Sequence, residues 1–188
     1  MRHAATGLVP RTSRHRHVSR DLLGERGFGV YIRVIFGRCR RSRVSDCGPY
    51  LDAMARSEDL ADILALDKRL FGSDRRRDFE FLRRFGKILT LRSGRALEGY
   101  LAQMPTPGRT MLGPGGADSP EALRRLVLHA VGETLGELSL LLPARGSESV
   151  RPLLETGFHL VGLSNLMYRG SWQPPTGAYA YSLFPESH

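Results

Sequence analysis

Lysine is almost missing from this chain: only Lys68 and Lys87 stand against 26 arginines. GC-rich coding explains that bias as readily as phosphate binding does, so the net charge of +9 does not by itself name a nucleic-acid partner. Cysteine is as scarce. Cys39 and Cys47 exclude a disulfide framework and lack zinc-ligand spacing, which makes a reducing cytoplasm the expected setting. No window approaches the roughly 18 apolar residues that span a bilayer, and no apolar run follows the basic N-terminus as in a secretory signal. The expectation is a cytoplasmic protein with no membrane partner.

What is present fits one well-buried domain plus an arm, since 188 residues do not reach two full domains. The charge is uneven: residues 1–50 carry +8 and the remaining 138 carry +1. Residues 1–20 mix Arg, His, Ser and Thr without apolar periodicity and read as a disordered basic arm. Strong salt dependence of duplex binding would mark that arm as a nucleic-acid binder, which is the minor reading. His3, His15 and His17 read as solvated bystanders, and no metal site is expected.

Residues 22–37 read as helix end, glycine stop and strand, with Leu22-Leu23, Gly27-Phe28 and then Val30 to Gly37. The design recurs as Leu153-Leu154, Gly157-Phe158 and an apolar strand from Leu160. Such self-similarity hints at a duplicated domain of which only the tail of the first copy is present. Between the two copies, Ser57-Glu58-Asp59 starts a helix that faces Leu60, Ile63, Leu64 and Leu70 one way and stops at Gly72. Asp74 is expected to cap a second helix burying Phe79, Leu82 and Phe85. Ile88 to Leu91 and Leu97 to Met104 form a hairpin about Ser93-Gly94.

The chain is organised around residues 110–158. Thr110 to Leu112 reads as a strand, and Gly113-Pro114-Gly115-Gly116 as a loop that no strand interior tolerates. Asp118 or Ser119 caps a helix with Pro120 in its first turn and Glu121 closing a capping box. That helix buries Leu123, Leu126, Val127, Ala130, Val131 and Leu135. Leu138 to Leu142 is a buried strand, with a short buried helix as the alternative. A further helix starts at Ser147 or Ser149 and ends at Gly157, and strands at 160–168 and 179–184 follow. This order specifies an α+β fold: a mixed, mostly antiparallel sheet with helices on both faces.

The element order, the glycine turn before the long helix and Gly157-Phe158 resemble the GNAT superfamily of acyl-CoA N-acyltransferases over residues 57–184. Asp67-x-x-x-Phe71-Gly72-x-Asp74-Arg75, Leu112-Gly113-Pro114, Met167-Tyr168-Arg169-Gly170 and Tyr179-Ala180 look like the C-terminal half of bacterial tandem-GNAT proteins of the YitH/HolE type. On that likeness residues 21–50 are similar to the end of a preceding GNAT domain, and residues 51–188 form a GNAT-like domain.

The resemblance implies acetyl transfer from acetyl-CoA, as co-substrate, to a small-molecule amine or α-amino group. It makes Gly113, Gly115, Gly116 and Ala117 the backbone cradle for the pyrophosphate, with Arg145 in reach of phosphate. Glu98 is the candidate base and Tyr168 the candidate acid. Asp67, Phe71, Asp74 and Arg75 form a candidate substrate patch, exposed and charged, with Asp67–Arg75 otherwise a surface pair. Departures from the family pattern matter here: the loop lacks its leading Arg or Gln, Pro114 has no N–H, and Asp118 and Glu121 stand where the pyrophosphate would approach. The alternative is therefore a non-catalytic binding or assembly module whose sheet edge recruits a second copy in a homodimer.

Overall fold

In the computed structural model, residues 26–36, 51–52, 59–144, 147–169 and 174–181 are described, those at 26–36, 51–52, 147 and 166–169 by backbone alone. They form β1 (Arg26–Phe36), β2 (Leu51–Asp52), α1 (Asp59–Phe71), α2 (Arg76–Phe85), β3 (Lys87–Ser93), β4 (Ala96–Thr106) and β5 (Arg109–Ala117). Then come α3 (Pro120–Glu133), β6 (Glu137–Pro143), α4 (Ser147–Glu155), β7 (Phe158–Arg169) and β8 (Ala178–Ala180). The arm at 1–20 and its histidines lie outside the described residues. No helix among those described is long and apolar enough to cross a membrane.

The strands make one mixed sheet in the order β2-β3-β4-β5-β6-β1-β7, all neighbours antiparallel except β5 and β6. Residues 26–36 are thus built into the same sheet as the rest, between β6 and β7. Helices cover both faces, and the alternation of side chains shows it. Leu89, Leu91, Leu101, Leu112, Leu138 and Leu140 join Leu123, Leu126 and Val127 of α3 in one core. The intervening positions Ile88, Tyr100, Ala102 and Met104 join Ile63, Leu66 and Leu70 of α1 and Phe79 and Leu82 of α2 in a second. A sheet buried on both faces has near-continuous apolar strands, which is why β3 and β6 read as short apolar runs broken only by Thr90 and Ser139.

Most start and stop signals act as expected. Gly72 ends α1 with a φ of 74°, Gly94 (φ 60°) makes the β3–β4 turn, and the Ser119 hydroxyl accepts a hydrogen bond from Ala122 N at the start of α3. The capping box does not form, because Glu121 turns to Arg124 instead. Asp74 does not cap α2 from the N-cap position, which Arg75 occupies; its carboxylate accepts from Arg76 N at 3.0 Å. Phe85 and Leu135 are exposed, Phe85 as the last residue of α2 and Leu135 beyond the last turn of α3.

The largest departure is at Gly113 to Gly116, expected as a loop and found as the second half of β5. Gly115 and Gly116 sit in the strand because neighbours fill the space a Cβ would need. A Cβ on Gly116 would come within 2.6 Å of Leu70 Cδ1 and 3.2 Å of the Tyr100 ring, and one on Gly115 within 2.7 Å of Leu101 Cδ1. Close approach of side chains from α1 and β4 is what selects glycine there.

Candidate functional site

β5 changes partner halfway along. Arg109 to Leu112 pair in parallel with Glu137 to Leu140 of β6. Gly113 then turns the chain at a φ of 116°, and Pro114 has no N–H for a ladder. Beyond them β5 and β6 part, and β8 lies in the gap. Gly115, Gly116 and Ala117 pair antiparallel with Ala180, Tyr179 and Ala178, while Tyr181 N donates to the Leu141 carbonyl of β6 at 2.9 Å.

The side chains of β8 alternate between the α3-facing core and a smaller cluster of Tyr179 and Leu141 with Phe71 and Tyr181. Ala178 and Ala180 are buried in the α3-facing core, to which β8 contributes only their methyl groups. Tyr179 faces the other way against Phe71, its ring centroid 5.7 Å away, and Tyr181 lies 6.0 Å from the same ring. Ahead of β8, Thr176 N donates to the Leu70 carbonyl at 2.9 Å, and Gly177 enters at a φ of 70° with its α-carbon close to the Ala117 carbonyl.

Next to this slot lies a buried polar cluster. Arg75 Nε and Nη2 donate to the two oxygens of Asp67 at 3.0 and 2.5 Å, a bidentate pair. The Tyr100 hydroxyl donates to Asp67 Oδ1 and accepts from Arg75 Nη2 at 3.3 Å. The Asp67 side chain is 1% exposed and that of Arg75 10%. The guanidinium stacks 4.2 Å above the Phe71 ring, so the pair holds the aromatic that receives β8. Burial first, and then the Asp67 carboxylate, push the Tyr100 phenol well above its ordinary range, while Arg75 pulls in the opposite direction.

The expected exposed substrate patch of Asp67, Asp74 and Arg75 is therefore corrected. Asp67 and Arg75 are an internal ion pair, with the carboxylate already accepting from Arg75 and Tyr100 and closed to a substrate amine. Phe71 packs under β8 and is half-buried, as Arg75 is, and of the four only Asp74 is exposed. Tyr100, the centre of the cluster, was not singled out from sequence; a tyrosine at a core position of an apolar strand, with an Asp and an Arg eight residues apart upstream, was the available signal.

Glu98 is half-buried on β4, and its carbonyl accepts from Asp118 N at 2.9 Å. Tyr168 pairs through its backbone with Gly27 near the end of β7, and its side chain lies outside the described residues. Strand order puts β5, β6 and β1 between these two residues, about 19 Å at the usual strand spacing. The fold does not bring them together. Arg145 lies outside the described residues.

Acetyl-CoA would need an open gap between β5 and β6 and free amides ahead of α3. The residues present do not fit it. β8 fills the gap, and Gly115 to Ala117 are ladder residues between β4 and β8. At the start of α3, Pro120 has no N–H, Ser119 takes the Ala122 amide, and Asp118 N is bound to Glu98. The Asp118 and Glu121 carboxylates stand there in ion pairs with Arg69 and Arg124. The Arg124 hydrogen bond holds the Glu121 carboxyl below its usual range, so the anion persists at neutral pH.

Comparison with known proteins agrees with this geometry at the level of fold. Residues 63–181, well over half the chain, match the family described as acetyltransferase (GNAT) domain. No curated protein sequence matches the chain. A protein from Pyrococcus horikoshii, provisionally described as an acetyltransferase, superposes with a TM-score of 0.59 at 18% identity, over 80% of this chain and 49% of its own. One from Novosphingobium aromaticivorans, provisionally described as a GNAT-family acetyltransferase, gives 0.55 at 12% identity over 74% and 63%. A conserved protein of unknown function from Staphylococcus epidermidis gives 0.57 at 12% identity over 79% and 63%. The chain thus spans less than two thirds of the length of each of these proteins.

Proposed function

We propose, since the chain belongs to the GNAT family of acetyltransferases, that it serves acetyl transfer to a small amine or α-amino group as a binding and assembly module rather than as the cofactor-bearing domain. In this reading the acetyl-CoA is held by a separate GNAT domain, in the tandem arrangement that the repeat between residues 22–37 and 153–170 suggests, and a cytoplasmic setting goes with it. One observation carries the reading: β8 lies between β5 and β6, with Tyr181 hydrogen-bonded to β6 and Ala178 to Ala180 hydrogen-bonded to β5. An autonomous enzyme using Glu98 and Tyr168 would need that strand to leave and two distant strands to converge.

The reading is tested by thermal unfolding of the purified chain with acetyl-CoA at about 1 mM. A ligand at 100 times its dissociation constant adds about 2.7 kcal/mol to stability, which moves Tm by several degrees. The expected result is no shift. An upward shift of a few degrees that coenzyme A reproduces overturns the reading and returns the chain to the autonomous transferases.

A further inference from the structure

We propose that the slot between β5 and β6 is an acceptor site for an extended polypeptide strand of small–aromatic–small pattern, with residues 174–181 as its resident occupant. This goes beyond the module reading, which states only what the slot does not hold.

The walls define the ligand. On one side Gly115 to Ala117 offer an antiparallel ladder, and on the other the Leu141 carbonyl accepts a backbone N–H, so an occupant must carry amides at peptide spacing. Facing α3 the slot is filled by two methyl groups, Ala178 being 4% and Ala180 0% exposed. Facing α1 it presents Phe71 edge-on to an aromatic ring, with Leu141 beside it. An empty slot would leave the ladder groups of Gly115 to Ala117 without partners inside the protein, a cost that any bound strand removes. Backbone hydrogen bonds would supply the affinity and the alternating pockets the selectivity, as in strand addition to a sheet.

The resident strand is short, three ladder residues and one bridge, and it is reached through Pro174-Pro175-Thr176. These contacts are the same whether the strand is tethered or free. What favours the tethered copy is its effective concentration, in the millimolar range for a short linker.

The test uses the full chain carrying Ala180→Glu, which places a carboxylate against the α3-facing core and unseats β8 while both walls stay intact. A fluorescent peptide with the sequence of residues 174–181 is titrated by anisotropy, with far-UV circular dichroism confirming the fold. We expect saturable binding to the variant, about a hundredfold weaker binding to the wild type, whose own strand competes, and loss of binding when the peptide carries the same glutamate. A folded variant that leaves the peptide free overturns the proposal.

If Ala180→Glu does not fold, Leu141→Cys with Tyr181→Cys, in a chain with Cys39→Ser and Cys47→Ser, decides the matter, because an antiparallel bridge position brings the two α-carbons within disulfide range. Millimolar peptide should bind the reduced form and not the oxidised form, in which β8 is pinned; equal signals in both forms, or none in either, refute the site. No arm uses the cofactor, so a Tm shift of the wild type with acetyl-CoA would remove the module reading and leave this one standing, and the reverse also holds.

Discussion

The two halves of β5 have the same strand on one side and different neighbours on the other. Its first half, Arg109 to Leu112, sits between β4 and a parallel partner, and Met111 and Leu112 bury ordinary apolar side chains there. Its second half, Gly115 to Ala117, sits between β4 and β8, and two of its three residues have no side chain at all. In the first half the apolar side chains of β5 do the packing. In the second the packing comes to the backbone from outside: Leu70 and Tyr100 lean on Gly116, Leu101 on Gly115, and Asp67 and Arg75 hold Tyr100 and Phe71 in place. The first half therefore depends on its own residues, and the second on groups far away in sequence.

That dependence is broken hardest at Asp67. Removing one partner of a buried ion pair is strongly destabilising, by about 3–5 kcal/mol. Asp67→Ala leaves the Arg75 guanidinium and the Tyr100 hydroxyl without their shared acceptor, so we expect a loss of that size in urea unfolding. A loss below about 1 kcal/mol, the worth of an exposed pair, would show that the cluster is not what holds the second half.

The next effect is local. Gly116→Ala puts a methyl group 2.6 Å from Leu70 Cδ1 and 3.2 Å from the Tyr100 ring, so one of them must move. Overpacking of this kind costs about 1–3 kcal/mol. The same Gly→Ala change at Gly94 supplies the opposite case, backbone strain at a φ of 60° with no atom within 4 Å of the added group. We expect Gly116→Ala to loosen β8, seen as faster amide exchange at Ala178 and Ala180, and Gly94→Ala to leave those amides unchanged.

The same contrast explains what could be read from sequence. Local signals sufficed wherever local chemistry decides: Ser119 and Pro120 start α3, Gly72 stops α1, Gly94 closes the hairpin, and Leu138 to Leu142 is a buried strand. The mixed sheet with helices on both faces follows from those elements. Residues 113–116 were misread because glycine and proline signal a loop when no side chain from elsewhere is in view, and the atoms that make them a strand belong to residues 70, 100 and 101. The Asp67–Arg75 pair was visible as a pair, but its burial depends on Phe71, Tyr100 and β8 closing over it. Nothing in residues 178–181 says which gap in the sheet they enter, because small and aromatic residues in alternation suit any two-sided slot.

The smallest effect isolates the hydroxyl of Tyr100. Tyr100→Phe keeps the ring that packs against Gly116 and Phe79 and removes one hydrogen bond from a carboxylate still held twice by Arg75. The expected cost near neutral pH is about 1 kcal/mol. Its pH dependence is more telling. Burial raises the folded-state pKa of this phenol above its unfolded value near 10. Up to that pH the phenol is protonated in both states and its contribution is complete. Above it the unfolded chain loses a proton that the folded protein keeps, so stability falls as pH rises. As pH rises above about 10, wild type should lose stability more steeply than Tyr100→Phe, the two curves drawing together. Parallel curves would mean that the hydroxyl reaches water, and that β8 and the Asp67 cluster do not close the second half of β5 as tightly as the first.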